Sequence, residues 1–345
     1  MACKPLATED LDHVLRHTAA LWPQLAGKRL FITGGTGFFG KWILESTVAA
    51  NDRLNCEVKV TVLSRDPARF KTEMPHLARR SEIDWLQGHP ANFAFPEQRH
   101  DYILHLATAT SAYHGHTDAT EMLKMKLASI SHVLSYARYA KVQRILVTSS
   151  GAVYGPQPPD VSHIPESYSG APDPLDPASA YGTGKRLVEQ MCALATDIDF
   201  VIARCFSFIG PHLPLDARFA AGNFLRDAMA GGPIVVNGDG RAVRSYLYAA
   251  DMVVWLLTIL LQGKAGRAYN VGSDQAVDIL DLAQSIAALA PQRPIVRVTD
   301  IHRDDPANRY VPDISRAGKE LGLQAYLPIN ESITRTSCWL NTGND

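Results

Sequence analysis

The sequence predicts an α/β protein in which a Rossmann-type doubly wound parallel sheet is followed by a smaller mixed α/β C-terminal lobe. Two observations predict it. Apolar strands alternate with helical segments as far as about residue 207, and a glycine-rich turn follows the first strand. Repeated strand–helix units of this length are typical of parallel sheets that carry helices on both faces.

The 345 residues divide into three predicted parts. Residues 1–27 would be an N-terminal helical extension, with an amphipathic helix over 8–22. Residues 28–207 would form the dinucleotide-binding domain, and residues 208–345 mainly the C-terminal lobe.

Strand and helix patterns alternate through the larger domain. Strands are predicted at 28–33, 57–64, 102–107, 144–149 and 200–204. Helices are predicted at 38–51, from Pro67, at 118–140 and at 178–195. In the lobe, helices are predicted at 216–230, 249–262 and 279–290, and short strands at 234–236, 268–271 and 295–298.

The composition excludes several classes of protein. Apolar residues make up 46% and the net charge is −1, so nothing indicates nucleic acid or an anionic membrane as a partner. The longest apolar run, 252–261, is too short to span a bilayer and predicts a buried helix. The five scattered cysteines fit no metal site and indicate reduced thiols in the cytoplasm. The first residues show no signal peptide, which argues against secretion.

The glycine-rich turn predicts a dinucleotide site. Gly34, Gly37 and Gly40 follow an apolar strand directly and open a helix, which is the context such a motif requires. Glycines permit a tight turn and close approach to a pyrophosphate, and the helix amides point at its charge. The predicted cofactor contacts here are Gly34, Thr36, Gly37, Phe38, Phe39 and Gly40.

The end of the second strand favours NADP over NAD. Arginine accommodates a 2′-phosphate at this place, whereas an acidic residue binds the ribose hydroxyl. The strand ends in Ser64 and Arg65, and Asp66 comes late for the ribose. The alternative is that Arg65 and Asp66 are only solvated loop charges.

Tyr181 and Lys185 form the most informative pair of the chain. In a helix they project from one face about one turn apart. The Lys185 ammonium then favours the phenolate of Tyr181, which could transfer a proton near neutral pH.

Together these motifs carry a family resemblance. The glycine turn, His105-Leu106-Ala107, Ser149 to Gly155 and Tyr181-x-x-x-Lys185 stand in the order of the extended short-chain dehydrogenase/reductases. More narrowly, the chain resembles the NAD-dependent epimerase/dehydratase group, which modifies nucleotide-activated sugars. The likeness runs from about residue 28 to residue 323 and includes the stretch from Gly238 to Asp251.

The resemblance implies roles for single residues. Tyr181 would be the general acid/base, Lys185 would hold the nicotinamide ribose, and Ser150 would orient the substrate oxygen, with Ser149 as the second choice. Leu106 and Ala107 would line the cofactor site. The substrate-binding residues would be Asn223, Arg244 and Arg309, with Arg244 on the diphosphate. The family also implies a homodimer through helices 118–140 and 178–195. Met122, Met125, Ile130, Val133 and Leu134 could serve that contact or face the sheet.

Three departures from the family pattern limit the reaction. Gly151 and Ala152 stand where sugar 4,6-dehydratases carry an acidic pair, which argues against that elimination and against glutamate-using sugar-acid decarboxylases. Lys126 stands near the position of the family's helix asparagine. His114 and His116 could supply an extra acid/base, although a solvated loop accounts for them as well.

We therefore expect an NAD(P)-dependent enzyme that oxidises or reduces a nucleotide-linked hexose, most simply at C4, as an epimerase or a 4-ketoreductase. The alternatives are a sugar-nucleotide dehydratase with non-standard acid/base residues and a non-catalytic NAD(P)-sensing protein. No metal is expected. The base and the sugar stay open.

Overall fold

The computed structural model describes residues 3–107, 119–215, 219–299 and 307–341. Its helices are α1 (Thr8–His17), α2 (Trp22–Leu25), α3 (Phe38–Leu54), α4 (Pro67–Glu73), α5 (Pro75–Ala78), α6 (Ala119–Ala140), α7 (Ala180–Leu194), α8 (Ala220–Met229), α9 (Ala249–Gln262), α10 (Ile279–Leu289), α11 (Ser315–Leu321) and α12 (Ile329–Asn341). Its strands are β1 (Arg29–Thr33), β2 (Lys59–Ser64), β3 (Ile83–Gln87), β4 (Tyr102–His105), β5 (Arg144–Ser150), β6 (Phe200–Cys205), β7 (Phe208–Ile209), β8 (Ile234–Val236), β9 (Val243–Arg244), β10 (Leu247–Tyr248), β11 (Arg267–Val271), β12 (Val277–Asp278), β13 (Val296–Val298) and β14 (Arg309–Tyr310). Short 3-10 helices cover Gly151–Tyr154 and Pro177–Ser179.

A seven-stranded sheet has the strand order β11-β6-β5-β4-β1-β2-β3. β1 pairs in parallel with both β2 and β4, and the chain winds outwards from there in both directions. The pairs β2–β3, β4–β5 and β5–β6 are parallel as well. This arrangement confirms the predicted doubly wound Rossmann-type sheet. Because parallel strands end at one edge, the loops after β1, β2, β4 and β5 leave the sheet on the same side.

The apolar stripe of α6 faces the sheet. One core cluster joins strand residues to helix residues, namely Phe31, Ile103, Ile145, Ile202, Ile130, Val133, Leu134 and Val188. Met122, Ile130, Val133 and Leu134 are all buried within the single chain. Of the two roles considered for this stripe, the structure therefore supports packing on the sheet.

One predicted helix and one unpredicted strand illustrate where the structure differs from the prediction. The helix predicted over 8–22 ends at His17, because Thr18 leaves the helical conformation with φ −114° and ψ 13°, and the chain turns before α2. Strand β3 was not predicted, since its side chains are only partly buried and show no apolar alternation.

Helix α9 is the apolar run that was predicted to be a buried helix, and its residues Met252 to Leu257 are fully buried. No helix in the described ranges combines the length and apolarity that crossing a bilayer needs. Arg144, which begins β5, donates to the carbonyls of Leu260 and Gly263 at the end of α9 and pairs with Asp199. This arginine thus stabilises the C-terminal end of the helix.

The chain forms two compact units. The first contains Met1–Gly155, Ala171–Cys205 and Val253–Tyr269, and the second contains Pro156–Gly170, Phe206–Met252 and Asn270–Asp345. Within the second unit, β7 pairs with β10, β8 pairs with β13, and β9 lies between β12 and β14. The strand predicted at 268–271 does not join these small sheets, because as β11 it extends the seven-stranded sheet. The predicted boundaries 28–207 and 208–345 stay a prediction.

Candidate active site

The glycine turn joins β1 to α3 and packs against the end of β4. Gly34 has a φ of +73°, which an L side chain rarely adopts. A Cβ built on Gly34 would lie 2.6 Å from the backbone nitrogen of Ala107. The turn and the Leu106-Ala107 segment therefore come together only because residue 34 has no side chain.

The N-terminus of α3 fits a pyrophosphate. Gly37 precedes the helix, and no side chain caps its first turn. A Cβ on Gly37 would meet nothing closer than the Gly34 carbonyl at 3.4 Å, so the place beside it is open to a ligand. A Cβ on Gly40 would collide with the backbone of Gly35, which keeps helix and turn in close contact. Open amides at a helix N-terminus attract phosphate, so this cradle is suited to the dinucleotide.

Arg65 and His89 follow β2 and β3 and lie near each other. Burial lowers the pKa of the His89 imidazole, and the charge of Arg65 lowers it further. Asp66 faces another way, because its Oδ1 accepts from the Arg69 amide at 3.0 Å and caps α4. The Ser64 hydroxyl accepts from the Asp66 amide at 3.2 Å. The one acidic residue of this turn is thus engaged by α4, while the two basic residues are side by side.

Ser150 ends β5 and begins the 3-10 helix that contains Gly151 and Ala152. Its hydroxyl accepts from the Ala152 amide at 3.2 Å. The second choice, Ser149, is 3% exposed, and its hydroxyl donates to Glu189 at 2.5 Å. That carboxylate is also bound by Arg204 at 2.6 Å. The engagement of Ser149 favours Ser150 as the hydroxyl that meets a substrate.

Tyr181 and Lys185 lie one turn apart on α7. Lys185 is buried and donates to the carbonyl of Thr148 on β5 at 2.7 Å. Burial lowers the pKa of Lys185 to about 7, and the charge of Lys126 contributes. Tyr181 is half-buried. The predicted helix therefore holds both residues on one face.

A chain of buried hydrogen bonds connects β1, β4 and β5 to Lys185. Thr33 on β1 and His105 on β4 share a hydrogen bond of 2.7 Å, and the Thr148 hydroxyl donates to the carbonyl of His105 at 3.1 Å. Sequence reasoning missed this chain of contacts, which runs from the strand before the glycine turn to the carbonyl that binds Lys185. The signal was available, since Thr33, His105 and Thr148 are polar residues inside otherwise apolar strands.

The predicted substrate residues lie in the second unit. Arg244 on β9 and Arg309 on β14 occupy neighbouring parallel strands. The guanidinium of Arg244 donates to the carbonyls of Val243 and Asn308, and that of Arg309 donates to the carbonyl of Ser162. Within the described ranges, neither arginine has a carboxylate partner. Asn223 on α8 accepts from Arg226 at 3.2 Å, and no hydrogen bond between described residues joins it to Arg244 or Arg309.

The structure does not test two of the candidate acid/base residues. His114 and His116 lie outside the described residues. In the part of the chain that the structure describes, no three His, Cys, Asp or Glu side chains cluster as metal ligands would.

Acid should weaken the fold before the carboxylates titrate. Burial lowers the pKa of His105 to about 3 and that of His100 to about 4. An unfolded histidine titrates near 6.5, so between about pH 6.5 and 4 the unfolded chain binds protons that the folded chain cannot. Stability is therefore full above pH 6.5 and falls as the pH decreases. Between pH 7.5 and 5 we expect each histidine to cost about 1–2 kcal/mol.

Urea titrations at pH 7.5 and pH 5 measure this loss. His105→Asn should reduce the difference in the free energy of unfolding between pH 7.5 and pH 5, because it removes one of the two buried histidines, His100 and His105, that cause the loss. An equal free energy of unfolding at both pH values in the unaltered protein would contradict the prediction.

The sequence and the fold both resemble those of known proteins. Residues 30–272 match the NAD dependent epimerase/dehydratase family. The chain is 27% identical over 312 residues to UDP-glucuronic acid decarboxylase 1 of Danio rerio, covering 90% of this chain and 72% of that protein. It resembles the crystal structure of UDP-glucose 4-epimerase with UDP-glucose from Thermotoga maritima, with a TM-score of 0.77, 18% identity, and coverage of 92% of this chain and 100% of that one. UDP-glucuronic acid 4-epimerase from Bacillus cereus in complex with NAD gives a TM-score of 0.75, 19% identity, and the same two coverages. These two likenesses concern the fold, whereas the family match spans most of the sequence. The chain belongs to the NAD-dependent epimerase/dehydratase family.

Proposed function

We propose that the protein catalyses NAD(P)-dependent oxidoreduction of a nucleotide-activated hexose at C4. The observation that carries the proposal is the joint placement of Tyr181 and Lys185 on one face of α7, beside β5, which ends in Ser150. The glycine turn leaves the same edge of the same sheet. A proton acceptor and a dinucleotide cradle on one edge suit alcohol–carbonyl chemistry.

The roles of the residues follow from the chemistry. The glycine turn and Lys185 would hold the nicotinamide cofactor, which would supply hydride transfer to and from the sugar carbon. Tyr181 takes the proton of the hydroxyl as the carbonyl forms and returns it in the reverse direction. Ser150 donates to the same oxygen and orients it. Lys185 favours the phenolate of Tyr181 and would bind the nicotinamide ribose.

An epimerase and a reductase differ in what becomes of the cofactor. An epimerase returns the hydride to the other face of the sugar and consumes no cofactor, whereas a reductase consumes one reduced cofactor for each product. Purified protein should be mixed with UDP-hexoses and 4-keto sugars while the absorbance band of reduced nicotinamide is followed. Stoichiometric consumption excludes the epimerase, and turnover without added cofactor excludes the reductase. No reaction with any sugar nucleotide would count against the whole proposal.

Decarboxylation of a sugar acid is a second candidate, because the relative from Danio rerio carries that name. Oxidation at C4 places a ketone β to a C6 carboxylate, so the C5–C6 bond can break, CO₂ can leave, and C5 then takes up a proton. Gly151 and Ala152 offer no acid, and Glu189 is bound by Arg204 and Ser149. We therefore favour simple oxidoreduction, and release of CO₂ from UDP-glucuronic acid would reverse that preference.

We propose NADP as the preferred cofactor, with Arg65 and His89 as ligands of the 2′-phosphate. Asp66, the acidic residue that could have accepted from a ribose hydroxyl, caps α4 instead. Arg65→Ala should weaken NADP binding about 10- to 100-fold, because a charged hydrogen bond is lost, and should leave NAD binding nearly unchanged.

Calorimetric dissociation constants for both cofactors test this preference. Arg69→Ala is the matched control, since Arg69 is a nearby exposed arginine paired with Glu73. Tighter binding of NAD than of NADP by the unaltered protein would refute the preference.

We also propose that Arg244 binds the substrate diphosphate, with Asn223 and Arg309 as further donors. Among the described residues the half-buried guanidinium of Arg244 binds only carbonyls, so no carboxylate there offsets its positive charge, and it can attract an anion. The nucleotide sugar is thus the expected partner.

Finally, we propose a cytoplasmic homodimer. Helices α6 and α7 pack on each other and leave Tyr139, Leu187 and Leu194 exposed, which supports a contact of their outer faces with a second copy. Light scattering of the purified protein tests it, and a monomeric mass at micromolar concentration would count against it.

A further inference from the structure

Lys126 is a buried cation that has no carboxylate partner among the residues the structure describes. It lies on α6, and its side chain is only 7% exposed. In the described parts of the chain its ammonium makes no hydrogen bond and no ion pair. Burial lowers the pKa of Lys126 to about 8, so the group remains largely charged at neutral pH. A charge held in this way is costly, and its position therefore calls for a functional reason.

The group that Lys126 faces is the ring of Tyr181. Its Nζ lies 4.6 Å from the ring centroid. A cation over an aromatic face is attracted by the negative charge of that face. The attraction grows when the phenol ionises, because the ring then carries a full negative charge instead of a quadrupole alone. The contact therefore favours the phenolate over the phenol.

Gly184 makes room for this contact. It follows Tyr181 by three residues and lies on the same side of α7. A Cβ built on Gly184 would stand 2.8 Å from Cδ of Lys126 and 2.9 Å from Cδ2 of Leu123. A methyl group at residue 184 would therefore require the stem of Lys126 or the side chain of Leu123 to shift.

The titratable groups around Lys126 and Tyr181 make contacts of their own. Lys185 on α7 binds the Thr148 carbonyl, and His105 on β4 is neutral because burial and the two lysines lower its pKa. Burial and Lys126 lower the pKa of Lys185, whereas the charges of Cys205 and Glu189 raise it. Among the described residues, Lys126 is the cation that covers the face of the Tyr181 ring.

We propose that Lys126 is a positioning residue of the active site, whose ammonium stabilises the phenolate of Tyr181 through the face of its ring. Tyr181 is then influenced by two lysines, Lys185 from its own helix and Lys126 from α6. The consequence is that more of Tyr181 is present as phenolate, the form that can accept a proton, at neutral pH, which suits the oxidative direction. The inference rests on the proposed role of Tyr181.

Titration of Tyr181 tests the inference without any substrate. The tyrosinate absorbance of the protein minus that of Tyr181→Phe isolates this one phenol. The same difference is then measured in the Lys126→Met background, where a side chain of similar length carries no charge. We expect Tyr181 to lose its proton about one to two pH units higher in that background. An unchanged midpoint overturns the inference.

Further variants separate charge from packing. Lys126→Arg should keep the midpoint low, because it keeps a cation over the ring. Gly184→Ala should raise the midpoint when Lys126 is present and leave it unchanged in Lys126→Met, since both changes act through one contact. If Lys126→Met does not fold, Lys126→Gln takes its place, because it also removes the charge, and an unchanged midpoint there overturns the inference. Full activity of Tyr181→Phe would instead refute the proposed function while the titration result stood.

Discussion

Tyr181→Phe is expected to lower kcat by about 10²- to 10⁴-fold, because the phenylalanine ring cannot move a proton to or from the sugar oxygen. The ring itself stays in place, so the Lys126 contact and the packing of α7 should survive. Dissociation constants for cofactor and nucleotide sugar should therefore change little. Steady-state rates on the best substrate found above, with calorimetric binding beside them, measure both quantities.

Tyr139→Phe is the matched control for this experiment. Tyr139 is 53% exposed at the end of α6 and has no place in the proposed chemistry. The same loss of one hydroxyl there should leave kcat unchanged. Equal rates for Tyr181→Phe and the unaltered protein would remove Tyr181 from the mechanism.

Gly34→Ala should both destabilise the protein and abolish measurable cofactor binding. A side chain at a φ of +73° costs about 1–2 kcal/mol, and forcing a methyl group against the Ala107 backbone costs about 1–3 kcal/mol more. The free energy of unfolding should thus fall by about 2–5 kcal/mol. Any relaxation must move the turn or the end of β4, and both line the proposed dinucleotide cradle.

Gly27→Ala isolates the collision from the backbone strain. Gly27 has a similar φ of +68°, but a Cβ there would meet nothing within 4 Å. In Gly27→Ala the free energy of unfolding should fall only by the cost of backbone strain, about 1–2 kcal/mol, and cofactor binding should be unchanged. Equal losses of stability in the two variants would show that the contact with Ala107 is unimportant.

The sequence was sufficient for those parts of the site that depend on local patterns. The glycine turn and the Tyr181–Lys185 spacing each belong to a single loop or helix, so the sheet that positions them could be predicted as well. The contact of Lys126 with Tyr181 depends on how α6 and α7 pack against each other. Spacing along one helix carries no information about that packing, so the contact could not be predicted.

Local patterns also failed where burial was uneven. Strand β3 is partly exposed on both sides and lacks the apolar alternation that reveals a strand. The stripe of α6 could not be assigned to the sheet or to a partner, because an apolar face looks the same whatever covers it. Asp66 is a similar case, since its sequence position does not reveal that its carboxylate caps α4.

The position of β11 has a consequence for the order of events during synthesis. The seven-stranded sheet cannot close its β6 edge until residues 267–271 have left the ribosome, well after the rest of its strands. The carbonyls at the end of α9 that Arg144 binds also arrive late. A nascent chain that has reached only residue 205 thus exposes an unpaired strand edge, the kind of surface that promotes aggregation. Non-local pairing of this sort slows folding, so completion of the cofactor-binding unit should be a late step of translation.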